Sequence, residues 1–89
     1  MKLKFKESLG GALVFENDTS DLFLEHEIGY HTLRYILHPI TPEQLGRYKI
    51  SKEEAIDIEK NILLKYGQTD FWDQYEKPDD YDEPLDQVD

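Results

Sequence analysis

The chain has 89 residues, 38% of them apolar and 12% aromatic, which allows one small core and is too aromatic for a wholly disordered protein. It has no cysteine, which excludes disulfides, thiolate chemistry and cysteine metal sites. Its formal net charge of −10 argues against direct binding to nucleic-acid phosphates or anionic membranes, both of which need clustered Lys and Arg.

The charge is unevenly placed. Up to Ile50 there are six basic and seven acidic residues, a net −1, whereas from Ser51 onward there are four basic and thirteen acidic, a net −9. A basic partner is the electrostatic complement of such a chain. Small secreted domains usually carry disulfide staples, so their absence points to a cytoplasmic home. No apolar run approaches the roughly 20 residues of a membrane span. The opening Met1–Lys6 has lysines but no apolar stretch behind them, so no signal peptide is expected there.

In chain order, residues 2–6 alternate Lys with apolar residues, which predicts a strand with Leu3 and Phe5 inward. Gly10 and Gly11 break it, and Ala12–Phe15 reads as a second strand. Asn17–Asp21 has turn chemistry, because its short polar side chains bond local backbone groups. Residues 21–28 are read as a third strand, with helix as the alternative. Tyr30–Leu37 is rich in aromatic and β-branched residues and reads as a fourth strand, ended by Pro39.

Thr41-Pro42-Glu43-Gln44 is a capping box with Pro at the first helical position, and starts a short helix near 42–48. Ser51-Lys52-Glu53-Glu54 is a second capping box, with a hydrophobic staple expected between Ile50 and Ala55. The helix it starts runs from Lys52 to Tyr66, and Gly67 follows as the C-terminal stop. Ile58, Ile62, Ala55, Tyr66, Leu63 and Ile56 fall on one arc of about 160°, the face expected to pack on the sheet. Glu59 lies inside that arc, where partial desolvation would raise its pKa. A last short helix is expected near 70–76, then an acidic, Pro-punctuated tail over 78–89 that is expected to be flexible.

The side chains carry little recognisable chemistry. His26 and His31 are five apart with Gly29 between them, whereas a zincin helix needs its histidines four apart. His38 shares the parity of His26, but strand pairing alone would decide whether they meet. Asp79, Asp80, Asp82 and Glu83 lack the glycine and terminal Glu of an EF-hand loop. None of Ser8, Ser20 and Ser51 sits in a nucleophile elbow. No cofactor, metal or catalytic site is therefore expected.

What remains is the segment from Asp70 onward. Aromatics supply contact area and acids supply steering, as interface hot spots do. The residues expected to bind a partner are Asp70, Phe71, Trp72, Asp73, Tyr75, Glu76, Asp79, Asp80, Tyr81, Asp82 and Glu83. The blander alternative folds this segment back over Lys2, Lys4 and Lys6, with Trp72 completing the core.

The expected fold is α+β, a single domain over 1–77: a three- to four-stranded antiparallel sheet covered by one main helix, with short helices near 42–48 and 70–76. The expected function is a non-enzymatic acidic binding protein that engages a basic protein, such as a nucleic-acid-binding protein or nuclease. Its sharper version is an inhibitor or nucleic-acid mimic, by compositional analogy with phage anti-defence and bacterial immunity proteins. The alternatives are a subunit of a larger assembly with the tail as solubiliser, and a small metal protein or enzyme using His26, Glu27 and His31.

Overall fold

The computed structural model describes residues 2–29, 32 and 34–79. Four strands, β1 (Lys4–Ser8), β2 (Leu13–Glu16), β3 (Leu22–Ile28) and β4 (Arg34–Ile40), precede helices α1 (Pro42–Tyr48) and α2 (Lys52–Tyr66), and a 3₁₀ helix spans Phe71–Gln74. The strands form one antiparallel sheet in the order β1-β2-β3-β4. This is an α+β meander, in line with the sequence.

Successive side chains of a strand point to opposite faces, and both faces of this sheet are covered. On one, Ala12, Val14, Leu24 and Ile40 meet Leu45 of α1 and Ile58 and Ile62 of α2. On the other, Leu13, Phe15, Phe23 and Leu37 meet Leu3 and Trp72, with Phe71 and Tyr75 at the margin. All four residues of the run Ala12–Phe15 are buried for this reason. The second cover is the segment after α2, residues 68–79, which lies across the sheet as a strap.

Several expected elements form as read. Asn17 Oδ1 accepts from the backbone N–H groups of Thr19 and Asp21, closing the β2–β3 turn. Thr41 accepts from Gln44 N while the Gln44 side chain accepts from Thr41 N, so the α1 capping box is complete. Residues 22–28 are strand rather than helix because each pairs across to β4, Leu22 with Ile40 through Ile28 with Arg34.

Others differ, each with a physical cause. Pro39 does not end the fourth strand but lies within β4, paired with Phe23. β4 is an edge strand, so the position without an N–H faces away from the ladder and no bond is lost. β1 starts at Lys4 rather than residue 2. Leu3 is buried under the strap, while Phe5 is 41% exposed and a bulge shifts the register between Phe5 and Glu7. At α2, Ser51 accepts from Glu54 N, but the Glu54 carboxylate bonds Arg47 instead of returning to the cap. Ile50 is 71% exposed, so the hydrophobic staple with Ala55 does not close. Ile56 is 45% exposed, which narrows the buried arc of α2 to Ile58 and Ile62 with half-buried flanks. The last helix is one 3₁₀ turn, shorter than the expected 70–76.

Gly67 ends α2 with φ 64° and ψ −139°, its N–H closing on Leu63 O at 2.7 Å. No atom would obstruct a methyl group there, so substitution tests backbone strain alone. Gly67→Ala is expected to cost about 1–3 kcal/mol in a urea or thermal melt. A loss under a few tenths would mean that the strap leaves the helix along another path.

Candidate functional site

The strap separates its side chains by polarity. Trp72 is buried at 9% exposure, its ring 5.1 Å from Phe15 in an edge-on contact. Its indole Nε1–H donates to Glu25 Oε2 at 2.8 Å, and Glu25 is itself buried. Tyr75 packs edge-on against Phe23 at 5.1 Å, and Phe71 against Tyr66 at 5.3 Å. The Lys77 ammonium lies over the Trp72 ring, 5.5 Å from its centroid.

Asp70 also turns inward. Its Oδ1 accepts from Leu37 N at 3.0 Å and from Trp72 N at 3.1 Å, so one carboxylate caps the 3₁₀ helix and ties it to the outer edge of β4. Asp73, Glu76 and Asp79 are exposed. The Leu3 N–H bonds to Glu76 O, and Lys2 pairs with Asp79 at 2.9 Å. The segment therefore folds back beside the N-terminus. It meets Lys2 there, whereas Lys6 pairs at 3.8 Å with Glu16 of β2. Of the residues expected to bind a partner, the structure places Asp73, Glu76 and Asp79 outward and uses Asp70, Phe71, Trp72 and Tyr75 wholly or partly in packing. Asp80, Tyr81, Asp82 and Glu83 lie outside the described residues.

The sequence left open whether His26 and His38 meet, and the sheet register brings them together. Leu24 pairs with His38 and His26 with Ile36, so the two histidines are diagonal neighbours on the α2 face. His26 Nε2 and His38 Nδ1 are 2.8 Å apart, with both residues fully buried. The His38 ring stacks on Tyr66 at 5.6 Å and meets Phe71 edge-on at 6.1 Å. Burial lowers the pKa of His26 to about 4, with the neighbouring His38 adding to the effect. Burial also lowers that of His38, partly offset by the Thr69 backbone, Asp70 and the Gly67 backbone. The outer nitrogens, His26 Nδ1 and His38 Nε2, are buried without a hydrogen-bond partner among the described residues, and the bond between the rings needs one hydrogen on either of the facing nitrogens. Glu27 alternates to the opposite face of β3, and His31 lies outside the described residues. Among the described residues no group of three or more His, Asp or Glu side chains is arranged to hold a metal ion.

Glu59 is half-buried, as its place in the arc implied. Its partner is the Tyr48 hydroxyl, which donates to Oε2. Burial raises the Glu59 pKa, the Tyr48 bond opposes this and nearby Glu27 adds to it. The phenol of Tyr48 is likewise pushed up, chiefly by burial. The pair lines an open cleft of about 470 Å³ with Leu9, Lys49, Lys52 and Ile56. Ser51, the one serine in its lining, caps α2, and Glu59 is the one carboxylate there.

No helix among the described residues is long and apolar enough to cross a membrane. No family model, curated protein or solved structure matches the chain.

Proposed function

We propose that this protein is a non-enzymatic acidic binding protein that engages a basic protein partner through the carboxylates of its C-terminal part, acting as an inhibitor or nucleic-acid mimic. The observation that carries this reading is the sorting of side chains along the strap. Its aromatics are held against the sheet, and Asp73, Glu76 and Asp79 are left exposed on a backbone that this packing holds in place. Carboxylates on an ordered segment lose less freedom on binding than carboxylates on a loose tail, and they steer a cationic partner from a distance. The net −9 of the second half of the sequence adds a field of the same sign.

The test must keep the strap, because truncation after Gly67 would remove Trp72 and open the core. Wild type and the triple variant Asp73→Asn/Glu76→Gln/Asp79→Asn are used to capture partners from cell lysate at about 0.1 M and about 1 M salt, where the screening length falls from about 10 to 3 Å. The expected result is a basic protein retained by wild type at low salt, weakened by the triple variant and lost at high salt. Capture indifferent to both changes would sink the reading. It would then favour a subunit of a larger assembly, for which the exposed Ile50, Ile56 and Leu64, the last at 85%, are the supporting observation.

A further inference from the structure

We propose that the buried His26–His38 pair is an acid-operated latch on the strap, which closes over the sheet while the pair is neutral and opens at its root, residues 67–71, when the pair takes up protons. The consequence for binding rests on the function proposed above; the latch itself does not.

The pair sits where the strap begins. Tyr66, the last residue of α2, stacks on His38, and Phe71 closes on both Tyr66 and His38. A neutral pair satisfies its facing nitrogens with one shared hydrogen. One added proton leaves an imidazolium in a site shut off from water. A second makes both facing nitrogens donors and destroys the bond.

The surrounding groups offer little compensation. From the strap, Asp70 acts on His38, but its Oδ1 already accepts two backbone N–H groups. From α2 come Tyr66, with the Lys65 ammonium over its ring at 5.3 Å, and Glu59, which is bonded to Tyr48. On β3, Glu25 and Glu27 alternate to the opposite face. On β4, Tyr35 does the same, and Arg34, on the pair's own face, is exposed and adds positive charge. On α1, Arg47 is paired with Glu54 and Asp57, and Glu43 is exposed.

The sign follows from where the protons go. Opened rings take protons near their ordinary value of 6.5, whereas the closed His26 does so only near 4. Below about pH 6.5 the open form therefore binds more protons, and closure weakens progressively down to about pH 4. Lifting α2 to hydrate the rings would expose the fully buried Ile58 and Ile62. The other cover consists of exposed Gly67, Gln68 and Thr69 with half-buried Tyr66 and Phe71, so it gives way at lower cost.

Trp72, the single tryptophan, reports strap docking. In a pH titration of the full chain, its emission is expected to shift to the red with a midpoint between pH 4 and 6.5, while far-UV circular dichroism keeps its native sheet and α2 signal. In His26→Gln/His38→Gln the shift is expected to move below pH 4, into the range of the carboxylates. The proposal is overturned if wild-type emission is flat above pH 4, if emission and dichroism change together, or if the double variant retains the wild-type midpoint. If the double variant does not fold, the two wild-type signals alone decide. A working latch combined with partner binding that ignores pH would count against the proposed function and leave the latch standing.

Discussion

Trp72→Ala is expected to be the most damaging single substitution, with a loss of about 3–5 kcal/mol from the missing side chain and its cavity alone. The indole fills the face of the sheet opposite the helices, among Leu3, Leu13, Phe15, Phe23 and Leu37. The substitution also removes the N–H that Glu25 accepts from a buried position. Taking a donor from a buried carboxylate adds about 1–3 kcal/mol. Against a whole stability of order 5–15 kcal/mol for a domain, the sum of about 4–8 kcal/mol removes half or more of what a chain this small can hold. Trp72→Phe separates the two effects, because it keeps most of the apolar contact but supplies no donor; its expected cost is about 1–3 kcal/mol. Urea unfolding followed by far-UV circular dichroism checks both variants. If both fall within about 1 kcal/mol of wild type, the strap is not docked in solution.

Asp70→Ala should follow, at about 2–3 kcal/mol. One oxygen of this carboxylate holds two backbone donors, Leu37 N of β4 and Trp72 N of the 3₁₀ helix. Bonds to a charged acceptor contribute about 1.5–3 kcal/mol each, and their sum is reduced because freed donors at the sheet edge regain water. The substitution also changes how the edge is guarded. Leu37 and Pro39 both face outward from β4; the first is bonded to Asp70 and the second has no N–H to offer. Without Asp70, the Leu37 amide becomes available to another strand. Amide exchange at Leu37 should accelerate at least tenfold in the variant. Asp70→Asn, which keeps an acceptor oxygen, should lie within about 1 kcal/mol of wild type. Equal losses for Ala and Asn would mean that the charge, through its action on His38, matters more than the two bonds.

The parts of this fold that were legible in the sequence are those governed by neighbours along the chain. The Asn17–Asp21 turn, the Thr41–Gln44 capping box and the Lys52–Tyr66 span of α2 form as expected because a cap or a turn is completed within a few residues, and no distant partner is needed to decide it. Local rules fail in this chain where they meet a distant competitor. The Glu54 carboxylate had a cap to return to and was drawn to Arg47 instead. Pro39 reads as a strand breaker, and would be one in a central strand, but the edge position of β4 makes its missing N–H harmless. The composition of the strap's aromatics fits a binding surface and a cover for the core equally, and the Glu25–Trp72 bond, across 47 residues, has no signal in spacing or periodicity.

The candidate sites divide in the same way. The acidity of the second half is a property of composition, and it is independent of how the chain folds. Which carboxylates face outward, and which one becomes a clasp, depends on how the strap crosses the sheet. Glu59 could be singled out because helical periodicity places it inside an apolar arc, although its partner could not. The meeting of His26 and His38 required the register of β3 on β4, since strand parity assigns a face but not a neighbour. The sequence by itself determined the α+β class, the turns and caps, the span of α2 and the sign of the surface. The tertiary structure alone decided that the sheet is covered on both faces, that Asp70 and Trp72 act as fasteners, and that two histidines share a buried bond. These contacts join residues far apart in the chain, and pairing register and packing select them.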